Sequence, residues 1–134
     1  MALFEWTDEY SVGVHTIDTQ HQGLFQTFKD LHNALNVGDT GAIEKALGDM
    51  WQYTTDHFEY EEKYFRMHKY PDAEAHKAEH AALSDQVAGK VRQYQAGELE
   101  LTGELTEFLT TWLKSHILET DKQYSQFFQL KGVR

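Results

Sequence analysis

A single proline, Pro71, is the feature that most constrains how this chain of 134 residues can fold. Proline and glycine clusters are the strongest local breaks in regular structure, so a chain that nearly lacks proline can run in long helices. The other candidate breaks are glycine-containing stretches at 38–41 and 96–103. With the turn at 69–72 they separate four long segments, 18–37, 41–69, 72–96 and 102–129, which follow an N-terminal arm of residues 1–17.

In each segment, residues that can face a core recur at spacings of three and four, most regularly in the first two segments, which is typical of one face of an α-helix. No segment shows the period-2 alternation of a strand. Long helices joined by short links favour antiparallel neighbours. We therefore expect an all-α fold, an up-down-up-down antiparallel four-helix bundle with an N-terminal arm, forming one domain over 1–134.

The composition excludes several classes of protein. Asp and Glu outnumber Lys and Arg by 22 to 12, and the net charge of -10 argues against nucleic-acid binding. No apolar run approaches the ~20 residues of a membrane span, so we expect no membrane association. The N-terminus lacks a basic region followed by an apolar one, which predicts a cytoplasmic protein. Cysteine is absent, which removes disulfides and thiolate ligands and fits a reducing compartment.

Titratable residues interrupt the apolar faces of all four predicted helices. They are His21, His57, Glu61, His76, His80 and His116. Burying so many such groups without partners would cost several kcal/mol each in a domain whose total stability is only ~5–15 kcal/mol. A bound metal ion is the obvious compensation.

The helix lengths place these residues at one level of the bundle. His21 and His57 lie 17 and 19 residues from the first turn, near residue 38. His80 and His116 each lie 18 residues from the last turn, near residue 98. At ~1.5 Å per residue, each pair lies about 25–30 Å from its own turn. His57 and Glu61, like His76 and His80, are also spaced i, i+4 and share a helix face.

Four segments resemble, in order, the motifs of the hemerythrin family, and specifically of its bacterial single-domain members. They are IDTQHQ at 17–22, HFEYEE at 57–62, HKAEH at 76–80 and WLKSHI at 112–117, the last followed by Asp121. The resemblance covers essentially the whole chain. It implies a non-haem centre of two iron ions with an oxo or hydroxo bridge. His76, His80 and His116 would ligate one iron, His21 and His57 the other, and Glu61 and Asp121 would bridge both.

Asp121 is the one ligand that spacing alone does not select. It follows His116 by five residues, a step that turns side chains roughly 140° apart in a regular helix. A single π-bulge would bring both inward, and such bulges are frequent at functional sites. A regular helix that points Thr120, Gln123 and Phe127 inward is the alternative.

The resemblance implies reversible O2 binding, for oxygen carriage, storage or sensing, by a protein that is not an enzyme. Two octahedral irons offer roughly twelve positions, of which the implied ligands and bridge fill eleven. The remaining position belongs to the iron of His21 and His57, where O2 would bind end-on and be held as peroxide. Leu113, Phe58, Ile117 and Trp112 are the candidate O2-pocket residues, and Tyr124 would lie near Asp121. A di-iron oxidase or peroxidase, a nitric-oxide-handling enzyme and an iron-storage protein are the alternatives.

The remaining histidines, His15, His32 and His68, are interpreted as ordinary surface residues. Glu62 is interpreted as solvated, although it follows the motif carboxylate. No further continuous apolar stripe is visible, so a monomer is expected. The partner that the resemblance implies is O2.

Overall fold

The structure is a computed structural model that describes residues 2–133, so Met1 and Arg134, the ends of the predicted domain, lie outside the described residues. Two short 3-10 turns, Ala2–Phe4 and Asp8–Tyr10, precede the long helices. These are α1 (His15–Val37), α2 (Thr40–His68), α3 (Ala73–Gln95) and α4 (Gly103–His116). A π-helical segment, Ile117–Asp121, joins α4 to α5 (Lys122–Leu130), and the three together form the fourth long helix.

The predicted fold class is confirmed: the described residues form a four-helix bundle without strands. α1 packs against both α2 and α4, and α2 packs against α3. α1 begins earlier than the sequence indicated, at His15. The fourth helix, predicted as a single span, is divided by the π-helical segment.

Local chemistry explains where the helices end. Gly38 adopts a left-handed conformation with φ of 80°, which closes α1 at little cost for a residue without a Cβ. Asp39 then caps α2 by accepting a hydrogen bond from the Gly41 amide at 3.1 Å. At the other end of α2, Lys69 takes a left-handed φ of 55°, and Pro71 follows two residues later. Proline disfavours helical backbone in the residue before it, so the chain turns there.

The N-terminal arm is fastened to two helices. The Asp18 carboxylate in the first turn of α1 accepts hydrogen bonds from the Val12 amide at 2.8 Å and the Ser11 hydroxyl at 2.5 Å. Ser125 of α5 donates to the Val12 carbonyl at 2.5 Å. Val12 and Val14 are fully buried, so the arm adds apolar packing to the hydrogen bonds.

The described helices include none with an apolar stretch long enough to cross a bilayer.

Candidate metal centre

Seven titratable side chains converge inside the bundle, and none is more than 4% exposed. α1 contributes one, α2 and α3 two each, α4 one and the end of the π-helical segment one; they are His21, His57, Glu61, His76, His80, His116 and Asp121. These are the seven side chains that the sequence and the family resemblance singled out. The structure thus brings together residues from four helices that are up to 100 positions apart in the chain.

The Asp121 carboxylate lies between two groups of imidazoles. Its Oδ1 atom is 3.0 Å from the Nε2 atoms of both His76 and His116. Its Oδ2 atom is 3.2 Å from Nε2 of His21. One carboxylate therefore faces ligand atoms from three different helices.

The Glu61 carboxylate spans the same gap from α2. Its Oε1 atom is 3.3 Å from the Nε2 atoms of both His57 and His80. Its Oε2 atom is 3.9 Å from Nε2 of His21. We call His76, His80 and His116 the three-histidine half and His21 and His57 the two-histidine half, because Glu61 and Asp121 each contact both.

The π-helical segment is what brings Asp121 to this centre. The Lys122 amide bonds to the Ile117 carbonyl, an i→i+5 step that marks a π turn. The wider turn takes up one extra residue, so His116 and Asp121 face the same side although five positions separate them. The π-bulge alternative left open by the sequence is therefore the one found.

Three of the five imidazoles have a hydrogen-bond partner on the side away from the centre. Nδ1 of His57 is 2.7 Å from Oε1 of Gln20, and Nδ1 of His80 is 3.0 Å from Oε2 of Glu62. Nδ1 of His116 is 3.3 Å from Oε1 of Glu79. These contacts are not predicted from the sequence, and the interpretation of Glu62 as solvated leaves out the contact with His80. The available signal was position, because Gln20, Glu62 and Glu79 each stand next to a centre residue.

The Tyr124 hydroxyl donates a short hydrogen bond to Oε2 of Glu61, and the whole tyrosine is buried. Burial, with the nearby charges of Asp121 and Glu61, raises the pKa of Tyr124 well above its usual value. The phenol therefore remains a donor. Tyr124 is close enough to Asp121 to feel its charge, in line with the family resemblance, and its hydrogen-bond partner is Glu61.

Aromatic rings flank the three-histidine half. Phe58 stacks on His80 with ring centroids 3.8 Å apart and planes within 4°. Trp112 stacks on His116 at 4.4 Å and 13°. The other two predicted pocket residues, Leu113 and Ile117, are 2% and 0% exposed.

The three remaining histidines lie outside the centre. His15 is exposed, as the sequence indicated. His32 is half-buried, with its ring 4.8 Å from that of Phe4 and its Nδ1 2.7 Å from the Thr106 hydroxyl. His68 is half-buried against Phe128. The arm and the C-terminal helix cover these two rings, which the sequence interpretation had placed on the surface.

The electrostatics of the centre favour charged carboxylates. Burial raises the pKa of Glu61 and the charge of Asp121 raises it further, but the facing imidazoles of His57 and His80 outweigh both. The pKa of Glu61 therefore lies well below its usual range. Burial also raises the pKa of Asp121, but the charge of His116 outweighs this effect. The pKa of Asp121 therefore lies well below its usual range as well. Burial lowers the pKa of His116, but the charge of Asp121 reverses this and raises it to about 9.

Several inward-facing atoms lack a hydrogen-bond partner among the described residues, which tests whether a metal fits. They are Nε2 of His21 and His80, Oε1 of Glu61 and both carboxylate oxygens of Asp121. A buried polar atom without a partner costs about 1–3 kcal/mol, so five in one layer require compensation. Imidazole nitrogens and carboxylate oxygens are ligands for iron and other first-row metals. The residues present therefore fit a metal centre.

Comparison with known proteins agrees with this geometry. A family model described as Hemerythrin HHE cation binding domain matches residues 12–128. The chain is 36% identical over 125 residues to the bacteriohemerythrin of Methylococcus capsulatus, covering 92% of this chain and 95% of that one. It is 26% identical over 121 residues to the myohemerythrin of Theromyzon tessulatum, covering 90% of each chain.

The fold also matches a solved relative. A crystal structure of wild-type hemerythrin aligns with a TM-score of 0.88 at 34% identity, covering 91% of this chain and 95% of that one. The family match, the relatives and the fold agree over nearly the whole chain, and all seven centre residues lie inside the matched span of 12–128. This chain belongs to the hemerythrin family.

Proposed function

We propose that this protein binds O2 reversibly at a non-haem di-iron centre, for oxygen carriage, storage or sensing. One observation carries the proposal: seven buried nitrogen and oxygen donors from four helices meet around two carboxylates that each contact both halves. The Asp121 carboxylate, with Oδ1 toward the three-histidine half and Oδ2 toward the two-histidine half, suits a pair of metal ions better than a single one.

The contacts support a division of the ligands between the two halves. His76, His80 and His116 would hold one iron, and His21 and His57 would hold the other, while Glu61 and Asp121 would bridge them together with an oxo or hydroxo group. The two-histidine half has one imidazole fewer, which supports it as the place for O2. Two ferrous ions held in this way would supply the two electrons that O2 takes up on binding and returns on release.

The donor set favours binding over oxidation of a substrate. Ferritin-like di-iron proteins use four glutamates and two histidines, whereas this centre offers two carboxylates and five imidazoles. Fewer negative ligands stabilise highly oxidised iron less. This difference supports an oxygen-binding protein rather than an oxidase or peroxidase.

The surrounding side chains would keep the centre dry and its ligands aligned. Leu113 and Ile117 are buried next to His116 and present apolar surface that excludes water. Phe58 and Trp112 pack flat on two imidazoles and restrict the rotation of those rings. Tyr124 fixes the orientation of Glu61 by donating to Oε2. We propose that Leu113, Ile117, Phe58 and Trp112 help to wall the O2 site. Of the four, Phe58 has ring contacts with both halves, because its ring centroid is 3.8 Å from that of His80 and 6.0 Å from that of His57.

We further propose that the chain acts as a single-domain, cytoplasmic monomer. The buried apolar residues form one cluster that includes all the long helices. The exposed large apolar side chains among the described residues are spread over different elements; they are Val37, Trp51, Met67, Phe108, Leu118 and Leu130. The absence of cysteine is the support for a reducing compartment.

Cycles of oxygenation test the proposed function. The protein is loaded with ferrous iron without air, exposed to O2 and then flushed with argon, and its visible absorption is followed throughout. A band that appears and disappears over repeated cycles supports reversible binding. Irreversible oxidation with turnover of a reductant would favour the di-iron oxidase or peroxidase. A chain that binds no iron would overturn both.

A further inference from the structure

The outer faces of the centre's imidazoles are not equivalent. A carboxylate only accepts, so in the contacts of Glu62 with His80 and of Glu79 with His116 the imidazole Nδ1 must donate. In the contact of Gln20 with His57 the acceptor is an uncharged amide oxygen. The Nδ1 atoms of His21 and His76 are buried without a hydrogen-bond partner among the described residues.

These partners are distributed unequally between the two halves. Both carboxylates, Glu62 and Glu79, support imidazoles of the three-histidine half. Among the described residues, the outer partner of the two-histidine half is the amide of Gln20. The negative charge that lies just outside the ligands is therefore concentrated on one side of the centre.

Each of the three outer partners lies on one helix and contacts an imidazole on the next helix along the chain. Gln20 precedes His21 on α1 and supports His57 on α2, while Glu62 follows Glu61 on α2 and supports His80 on α3. In the same direction, Glu79 precedes His80 on α3 and supports His116 on α4. A residue next to an inward-facing one is rotated by about 100° around its helix, so its side chain points toward the neighbouring helix.

The π-helical segment completes this arrangement. The Thr120 hydroxyl lies 3.1 and 3.2 Å from the two carboxylate oxygens of Glu79, to which it donates. Thr120 immediately precedes Asp121. The extra residue that turns Asp121 inward thus also places a hydroxyl that holds Glu79 against His116.

A carboxylate that accepts a hydrogen bond from Nδ1–H fixes the tautomer in which Nε2 carries no proton. It also makes the imidazole a stronger electron donor. An amide orients the ring in the same way but adds no charge. A more strongly donating, more negative ligand set favours Fe3+ over Fe2+, because the extra positive charge is stabilised in a low-dielectric interior.

We infer that Glu62 and Glu79 are positioning residues that make the three-histidine half the tighter iron site and the first to be oxidised, while Gln20 leaves the two-histidine half easier to reduce. This inference rests on the proposed di-iron function. It gives the two halves different redox roles, with the electron-rich half opposite the proposed O2 position.

The geometry also ranks the two carboxylates. Oε2 of Glu62 is 3.0 Å from Nδ1 of His80, and the Glu62 side chain is 18% exposed. Oε1 of Glu79 is 3.3 Å from Nδ1 of His116, and the Glu79 side chain is 48% exposed. Water screens the more exposed charge more strongly. The effect of Glu62→Gln should therefore exceed that of Glu79→Gln.

The experiment measures the two one-electron midpoint potentials of the iron-loaded protein by spectroelectrochemistry, together with Co2+ affinity by chelator competition. Loss of such an outer partner typically weakens metal affinity by about 10- to 100-fold. A tenfold loss of affinity for Fe3+, with the affinity for Fe2+ unchanged, corresponds to a rise of ~59 mV in the midpoint potential of a one-electron couple. We expect Glu62→Gln to raise the lower potential by about this amount and Glu79→Gln to raise it less.

Two further variants make the result specific. Glu59→Gln removes the same charge from an exposed position on α2 and should leave both potentials unchanged. Gln20→Glu gives the two-histidine half a carboxylate and should lower the higher potential instead. Circular dichroism of each variant confirms that the bundle is intact.

The possible failures are distinguishable. If the unmodified protein loads two irons and cycles with O2, but Glu62→Gln and Glu79→Gln match Glu59→Gln, the inference is overturned and the proposed function stands. A shift of the higher potential in Glu62→Gln would also overturn it. If the unmodified protein does not load iron, the proposed function fails and this inference fails with it.

Discussion

Asp121 lies five positions after His116, yet its Oδ1 atom is 3.0 Å from Nε2 of that histidine. The π-helical segment Ile117–Asp121 makes this contact because it accommodates one residue more than a regular turn. Removing a residue from the segment should therefore restore an ordinary helix without turning Asp121 away.

We predict that deletion of Leu118, which is 44% exposed, preserves the metal centre. His116 and the aspartate would then be spaced i, i+4, the spacing that already lets His57 and Glu61 share a face. Insertion of one alanine after Leu118 should instead rotate the aspartate by about 100° and abolish stoichiometric metal binding. Iron content per chain measures both, and equal loss in the two variants would contradict the explanation.

His57 and His15 provide a direct test of which histidines hold metal. His57 is 2% exposed, with its Nε2 3.3 Å from Glu61, whereas His15 is exposed on the first turn of α1. His57→Ala should lower the iron content and abolish the spectral response to O2, because the two-histidine half would keep a single imidazole. His15→Ala should change neither iron content nor O2 response. An unaltered O2 response in His57→Ala would refute the assignment of O2 to this half.

Tyr124→Phe tests the buried hydrogen bond to Glu61. The substitution removes the only hydroxyl that the structure shows donating to Oε2 of Glu61, and it leaves that oxygen buried. We expect a loss of about 1–3 kcal/mol in the free energy of unfolding of the metal-free protein, measured with denaturant. Tyr64→Phe is the control, since Tyr64 is half-buried and the hydrogen bond shown for its hydroxyl is the one it accepts from the Tyr60 hydroxyl at 3.0 Å. A loss no larger than that of the control would contradict this role.

Much of the fold and the location of the centre followed from the sequence for physical reasons. The spacing of three and four is imposed by the helix itself, and antiparallel helices with short turns bring residues at equal distances from a turn to one level. The sequence alone thus predicts that His21, His57, His80 and His116 lie in one layer. All four are buried there.

The rest depended on information that periodicity does not carry. Asp121 was identified only through the family resemblance, because a π turn has no distinctive sequence pattern. Glu62 and Glu79 were missed because a glutamate beside a buried residue looks solvated until the rotation of the neighbouring helix is known. His32 was placed on the surface because nothing in its own helix shows that the arm brings Phe4 against it.

The alkaline stability of the fold should depend on Tyr70. Burial, helped by the charges of Asp72 and Asp121, raises the pKa of Tyr70 to about 12. The unfolded chain loses this proton near pH ~10, so the folded state binds it more tightly between these values. Stability from this group is therefore complete below about pH 10 and is lost as the pH rises towards the folded pKa. Tyr70→Phe should flatten that decline in denaturant unfolding measured across this range, and an unchanged slope would contradict the prediction.

Leu113→Ala should accelerate the irreversible oxidation of the oxygenated protein. Leu113 is 2% exposed and lies one turn before His116, so its truncation opens space beside the centre to water. The control is Leu109→Ala, which removes an equally buried leucine, 1% exposed, one turn farther from His116. Both variants should lose about 2–5 kcal/mol of stability, because each creates a cavity in the core. The decay of the visible band under air should quicken several-fold in Leu113→Ala alone, whereas equal acceleration in both would show that loosened packing, and not the wall beside the centre, controls the oxidation.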